Sequence, residues 1–120
     1  MTEVSRIDKP WGYELHWAKT SHYVGKVIHV TAGHALSLQY HNQKEETLLL
    51  WAGRLKFELR DGEDIRVWEM EPGESVHVRP KMIHRMTAIE DSDIIEVSTT
   101  ELEDVIRLED RYGREGTSQP

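Results

Sequence analysis

The feature that most constrains the fold is an alternation of apolar and polar residues that recurs in short stretches of the chain. Four stretches alternate in this way, at residues 36–40, 54–60, 75–79 and 93–98. Period-two alternation is typical of strands with one buried face. Turn signals containing glycine or proline separate the stretches, at residues 31–33, 52–53, 60–63 and 71–73. Short strands about ten residues apart predict an all-β sandwich or barrel.

The two ends of the chain are less regular. Residues 8–14 contain Pro10 and Trp11 and are predicted to form an irregular arm packed by the tryptophan. Residues 100–114 are highly charged, which is compatible with a short helix or an extended flap. The predicted organisation is one domain over residues 1–114, followed by a disordered tail at 115–120.

Composition excludes several classes of protein. The 120 residues include 15 basic and 22 acidic ones, and the net charge of −7 argues against nucleic-acid binding but not against an anionic small substrate. No apolar run approaches the roughly 20 residues of a membrane-spanning helix, and the charged first residues do not resemble a secretion signal. Cysteine is absent, which excludes disulfides, thiolate metal sites and thiol catalysis, and a cytoplasmic location is expected.

Four side chains form a candidate metal site. Gln39 and His41 are two residues apart on a predicted strand and therefore point to the same face. Glu46 stands at the start of the apolar run 47–51, and His84 precedes another presumed strand. Two imidazoles, a carboxylate and an amide oxygen suit a divalent first-row ion. An octahedral ion would keep two positions for water or substrate.

The spacing of these residues resembles the first cupin motif, G(X)5HXH(X)3,4E(X)6G. The chain follows it with Gly33, Gln39, His41, Glu46 and Gly53. Glutamine replaces the first histidine, and the six residues before Gly53 select Glu46 over the adjacent Glu45 as the ligand. The resemblance implies a single-domain cupin, a jelly-roll barrel also called a double-stranded β-helix.

The second cupin motif, G(X)5PXG(X)2H(X)3N, is also present from Gly73 to His84. Arg79 and Lys81 stand where proline and glycine are usual, and Pro80 lies between them. Both motifs are therefore in register across most of the chain.

A closer resemblance is to the C-terminal cupin domain of the bifunctional mannose-6-phosphate isomerase/mannose-1-phosphate guanylyltransferases. Three of its segments occur in order. The matching residues are Lys9-Pro10-Trp11-Gly12 with Glu14, Leu36-Ser37-Leu38-Gln39-Tyr40-His41, and Asp104-Val105-Ile106-Arg107 with Asp110-Arg111-Tyr112-Gly113-Arg114. Lys44 stands where the family has arginine. Lysine keeps the positive charge but lacks the planar guanidinium group, which can make two parallel hydrogen bonds.

This resemblance implies a metal-dependent isomerase that interconverts mannose 6-phosphate and fructose 6-phosphate. Zinc is the expected ion, with manganese, cobalt, iron or nickel as alternatives, and a homodimer is the expected assembly. The reaction needs a Lewis acid, a base at the sugar C2 and cations for the phosphate. Candidates for proton transfer are Glu96, or Lys26 or Lys44 with a lowered pKa. Candidates for phosphate binding are Lys9, Arg107 and Arg114.

Two other functions fit the same residues. One is a metal-binding cupin that acts on, or only binds, another sugar or small molecule. The other is a cupin dioxygenase, although glutamine in place of histidine weakens an iron site built for oxygen. The remaining histidines His29, His34 and His77 are expected to be structural or exposed. The tryptophans are expected to serve the core and the dimer contact.

Overall fold

The computed structural model describes residues 2–116, and within them every regular element is a β-strand. None of these residues forms a helix long and apolar enough to cross a membrane. The strands are β1 (Ser5–Lys9), β2 (Gly12–Lys19), β3 (Val24–Val30), β4 (Leu38–Tyr40), β5 (Glu46–Ala52), β6 (Leu55–Asp61), β7 (Asp64–Met70), β8 (Ser75–Val78), β9 (Ile83–Ala88), β10 (Ser92–Ser98) and β11 (Ile106–Glu109).

The strands form two antiparallel sheets that enclose one core. The six-stranded sheet has the order β1-β2-β3-β10-β5-β8, and the five-stranded sheet has the order β11-β4-β9-β6-β7. The predicted all-β, single-domain fold is confirmed. The predicted alternation is visible in β10, where Ile94 and Glu96 are buried and Val97 is 52 % exposed.

The interior is divided into an apolar half and a polar half. In the apolar half, Ile94 pairs with Ile28 on one side and Leu50 on the other. In the polar half, Glu96 pairs with Lys26 on the neighbouring strand. Because the strands run antiparallel in register, the polar ends of β3, β5 and β10 meet at the same end of the barrel. This juxtaposition creates the polar cavity.

One expectation about the chain ends is wrong, and one alternative of a second expectation is excluded. Residues 8–14 are not an irregular arm but a hairpin, in which β1 and β2 pair from Ser5↔His16 to Lys9↔Gly12. Its turn carries Trp11, which is buried as expected, with 3 % exposed. Residues 100–114 form no helix, and β11 within them pairs with β4. In the predicted tail, Oε1 of Glu115 accepts a hydrogen bond from the backbone N–H of Asp110, and the backbone N–H of Gly116 donates to the carbonyl of Arg107. Residues 117–120 of that tail lie outside the described residues.

Two positions show how turn geometry selects residues. Gly53 has φ 94°, and a Cβ there would lie 2.3 Å from the backbone oxygen of Asp91. Lys81 has φ 74°, the left-handed region that disfavours side chains. It stands where the second cupin motif has glycine, the residue that adopts this region without steric cost. Lys81 is also tied to the neighbouring loop, because its backbone N–H donates to the carbonyl of His41 and its Nζ donates to Asn42.

Candidate metal centre

Three of the four predicted ligands converge at the polar end of the barrel. His41 follows β4, Glu46 begins β5 and His84 lies on β9. One potential ligand atom from each lies within 4.8 Å of the others. Oε1 of Glu46 is 3.1 Å from Nε2 of His84 and 3.5 Å from Nε2 of His41. All three side chains are buried, whereas the adjacent Glu45 is exposed and pairs with His77.

Hydrogen bonds at the far side of each imidazole ring orient both histidines. Nδ1 of His41 donates to the backbone carbonyl of Asp104 at 2.6 Å. Nδ1 of His84 donates to the backbone carbonyl of Met82 at 3.0 Å. Because a carbonyl only accepts, each ring carries a proton on Nδ1, and the neutral form of each ring presents the lone pair of Nε2. Metal-bound histidines are held by bonds of this kind.

The three converging atoms fit a cation. Two imidazole lone pairs and an ionised carboxylate are all acceptors, so they repel one another unless a positive group lies between them. Nε2 of His41 is buried and has no hydrogen-bond partner, which a buried polar atom rarely tolerates. A divalent ion satisfies all three atoms, and this donor set suits a first-row metal.

Gln39, the fourth predicted ligand, lines the same cavity. It is paired across the sheet with His84, which places both residues at the polar end. Its Oε1 accepts a hydrogen bond from the hydroxyl of Ser37 at 2.6 Å. An amide oxygen has a second lone pair, which remains for a metal ion.

Lys44 lies between two buried carboxylates. Its Nζ is 3.0 Å from Glu46 and 3.2 Å from Glu96. Although burial opposes the charged form, these two carboxylates raise the pKa of Lys44. The expectation of a lowered pKa for Lys44 is therefore wrong. Burial, and then the charge of Glu46, raises the pKa of Glu96.

Asp104 is a residue whose role the sequence did not indicate. Its carboxylate accepts backbone hydrogen bonds from Asn42, Gln43 and Lys44, at 3.0, 2.6 and 2.9 Å. It therefore closes the loop that carries His41 and Glu46. The available signal was its place in the matching Asp104-Val105-Ile106-Arg107 segment, but no pattern links residue 104 to a loop about sixty residues earlier.

The cation group, defined as Lys9, Arg107 and Arg114, lines the same cavity of about 240 Å³. Burial lowers the pKa of Lys9. The charge of Glu14 opposes this shift, and the charges of Lys26, Arg114 and Arg107 add to it. Burial, and then the charge of Arg114, lowers the pKa of Arg107. Asp110 holds Arg114 in position through Nε at 2.9 Å and Nη2 at 3.1 Å. The group therefore forms a concentrated positive region that suits an anion.

The cavity is much more basic than the chain. Seven lysines and arginines line it, against four glutamates, although the chain has a net charge of −7. The basic residues are Lys9, Lys19, Lys26, Lys44, Arg85, Arg107 and Arg114, and the acidic ones are Glu14, Glu46, Glu96 and Glu103. A local excess of this kind attracts a small anion whatever the total charge.

Comparison with protein families agrees with this geometry. Residues 1–110 match the family model described as mannose-6-phosphate isomerase C-terminal. The chain belongs to this family. The resemblance inferred from the three sequence segments is therefore confirmed. A search of curated proteins finds no match.

Solved structures similar to this member of the mannose-6-phosphate isomerase C-terminal family are cupins with different names. KdgF from Halomonas sp. superposes with a TM-score of 0.70 at 18 % identity, over 80 % of this chain and 87 % of that one. Oxalate decarboxylase from Bacillus subtilis, a protein with Mn(II) centres, superposes with a TM-score of 0.79 at 12 % identity, over 88 % of this chain and 30 % of that one. CapF superposes with a TM-score of 0.72 at 16 % identity, over 92 % of this chain and 36 % of that one. At these identities the likeness shows the fold.

His29, His34 and His77 do not belong to the His41–Glu46–His84 cluster. His29 contacts Asp93 at 2.7 Å, His34 contacts the Tyr112 hydroxyl at 2.7 Å, and His77 pairs with Glu45 on the surface. These positions agree with the structural or exposed roles expected of them.

The tryptophans differ from one another. Trp11 belongs to the core. Trp68 packs against the core, with its ring centroid 5.3 Å from that of Phe57. Trp17 and Trp51 are 42 % and 66 % exposed. They are therefore not core residues of this chain.

Proposed function

We propose that the protein is a metal-dependent sugar-phosphate isomerase that interconverts mannose 6-phosphate and fructose 6-phosphate. The observation that carries this proposal is that one cavity contains both the His41–Glu46–His84 cluster and the cation group. A metal end and an anion-binding end are what a phosphorylated open-chain sugar requires. Membership of the mannose-6-phosphate isomerase C-terminal family supports the same reaction.

The reaction moves one proton from the sugar C2 to C1 and one hydroxyl proton from O2 to O1. A divalent ion held by Gln39, His41, Glu46 and His84 would supply Lewis acidity for the negative charge that develops on the oxygens. Zinc is proposed, and manganese, cobalt, iron or nickel are alternatives. The cation group binds the phosphate, so that binding energy remote from C2 orients the reacting carbon atoms.

We assign the carbon-to-carbon proton transfer to Glu96. Its carboxylate is buried in the cavity wall, and Oε2 lies 3.2 Å from Lys44 and 4.0 Å from Lys26. The two lysines fix the position of this carboxylate, which takes the proton from C2 and returns it to C1. Lys44 also contacts Glu46, so it couples the position of Glu96 to that of the metal ligand.

A coupled assay tests the proposal. Metal-free protein is loaded in turn with zinc, manganese, cobalt, iron and nickel, and turnover of mannose 6-phosphate is measured with each. At least one metal should give turnover, and the Glu96→Gln variant should lose it by about a hundredfold or more while keeping its metal. The Glu58→Gln variant, altered on the outer face of β6, is the matched control. No turnover with any metal would refute the proposal.

The second candidate is a metal-binding cupin with another sugar or small molecule as its ligand. It is favoured by the variety of its structural neighbours, which carry different names on the same fold. Stoichiometric metal in the purified protein, together with no turnover of hexose 6-phosphates, would support this second candidate.

A further inference from the structure

A second cluster of charged side chains lies in the cavity wall formed by β2 and β3. Glu14 is its centre, and 8 % of this residue is exposed. Its Oε1 accepts a hydrogen bond from Nε2 of His16 at 2.9 Å and lies 3.2 Å from Nζ of Lys26. None of these residues belongs to the His41–Glu46–His84 cluster. The proposed reaction leaves Glu14 and His16 without a role.

Glu14 is an ionised acceptor. Burial opposes its charged form, but the bond from His16 and the charges of Lys26 and Lys9 lower its pKa to about 2. Both side-chain contacts of the carboxylate fall on Oε1. This leaves Oε2 to accept hydrogen bonds from a ligand, and an ionised carboxylate only accepts.

The position of Glu14 follows from a series of contacts along the wall. Starting at the metal end, Glu46 contacts Lys44, Lys44 contacts Glu96, and Glu96 lies 4.0 Å from Lys26, which contacts Glu14. At the other end, the charge of Lys9 in the cation group acts on Glu14. In this series of contacts, Glu14 comes between the metal end and the cation group.

We propose that Glu14 is a specificity-determining residue whose Oε2 binds hydroxyl groups in the middle of a phosphorylated polyhydroxy chain. The inference rests on the proposed function, since it takes the metal end and the cation group as the two ends of the ligand. Hydroxyl groups can donate to the carboxylate, whereas methylene groups leave it without a donor and a ligand carboxylate is repelled. The site thereby selects a neutral polyol segment attached to a phosphate.

Two unreactive phosphates of equal chain length test this inference in the zinc-loaded protein. Sorbitol 6-phosphate carries hydroxyl groups along its chain and hexyl phosphate has none. The wild type should bind sorbitol 6-phosphate about tenfold or more tightly than hexyl phosphate, because each bond to a charged acceptor strengthens binding. The Glu14→Gln variant should reduce that ratio about tenfold while keeping its zinc and still binding inorganic phosphate.

A matched control is Glu103→Gln, which alters another glutamate that lines the same cavity but is exposed. It should keep the wild-type ratio. If Glu14→Gln fails to fold, Glu14→Asp preserves the charge beside Lys26 and withdraws the oxygens by one methylene. It should then lower the ratio about threefold or more.

The results separate this inference from the proposed reaction. An unchanged ratio in Glu14→Gln, or equal binding of the two phosphates by the wild type, would overturn the role of Glu14. A ratio that depends on Glu14 supports that role even if mannose 6-phosphate is not turned over, in which case only the reaction is refuted.

Discussion

The backbone carbonyl of Asp104 and Nδ1 of His41 are joined by a hydrogen bond of 2.6 Å. The side chain of the same aspartate accepts three backbone hydrogen bonds from residues 42–44. One residue of the C-terminal segment therefore orients a metal-binding imidazole and closes the loop beside it.

Replacing Asp104 by alanine should weaken metal binding. The carbonyl bond to His41 remains possible, but the loop loses its three acceptor contacts, so the positions of His41 and Glu46 become less well defined. Zinc affinity should fall about 10- to 100-fold, as it does when groups that orient metal ligands are removed. Competition with a chelating dye measures this. Asp93→Ala, at a half-buried aspartate that contacts His29, is the control, and equal zinc affinity in both variants would contradict the assigned role of Asp104.

Replacing Lys44 by methionine should destabilise the metal-free protein strongly. The substitution keeps an unbranched side chain that is one atom shorter, but leaves Glu46 and Glu96 buried together without their shared cation. Breaking a buried charge pair in this way costs about 3–5 kcal/mol. Urea unfolding at neutral pH measures it, with Lys56→Met on the exposed face of β6 as the control. A loss below about 1 kcal/mol would mean that Lys44 does not neutralise the two carboxylates.

Lys81 allows backbone strain to be separated from a side-chain contact. Lys81→Gly and Lys81→Ala both remove the bond to Asn42, but only alanine keeps a Cβ at φ 74°. Glycine should therefore be the more stable of the two by about 1 kcal/mol. Thermal unfolding of the pair measures the difference. The reverse order of stability would show that the turn imposes no left-handed strain.

The pH dependence of the free energy of unfolding should contain a contribution from the carboxyl group of Glu14. Its pKa is about 2 in the folded protein against an ordinary value of 4.5. A lowered folded-state pKa gives stability that is fully present above pH 4.5 and is lost as the pH falls towards 2. The loss over that interval is about 3 kcal/mol. In Glu14→Gln the free energy of unfolding should fall less steeply between pH 5 and pH 2, and parallel curves for the two proteins would contradict the prediction.

The homodimer expected from the sequence can be tested on the outer face of the six-stranded sheet. Trp51 on β5 and Val97 on β10 are 66 % and 52 % exposed there, and large apolar side chains in such positions are typical of interfaces. Light scattering at micromolar concentration should give the mass of two chains. Trp51→Glu should give the mass of one, with Lys56→Glu as the control, and a monomeric wild type would refute the prediction.

The architecture could be predicted from local alternation, and the metal cluster from the spacing within the two cupin motifs that the chain resembles. Alternation along β6 and β10 specifies which side chains face inward, and the interval from His41 to Glu46 is set within one loop. The hairpin of β1 and β2 was missed because proline and tryptophan in the turn obscured the alternation on either side.

The remaining parts of the site depend on distant contacts. Asp104 acts on residues about sixty positions earlier, and no periodic pattern carries that information. Lys44 was expected to have a lowered pKa because burial alone acts in that direction. Two carboxylates from different strands reverse the sign, and their proximity follows only from strand register. The contact of Glu14 with Lys26 likewise arises from the pairing of β2 with β3.

The alternating row of charges along the cavity wall, from Glu46 through Lys44, Glu96 and Lys26 to Glu14, has a consequence for how this protein can change. Each interior member of the row contacts two neighbours of opposite charge. A single replacement therefore changes the net charge of the row by one, whereas two adjacent replacements of opposite sign leave the net charge unchanged. The effects of substitutions here should be strongly non-additive, with coupling energies largest between adjacent members. Substitutions in this row are therefore expected to occur in adjacent pairs. A lysine is expected to be lost together with one of the two glutamates that it contacts.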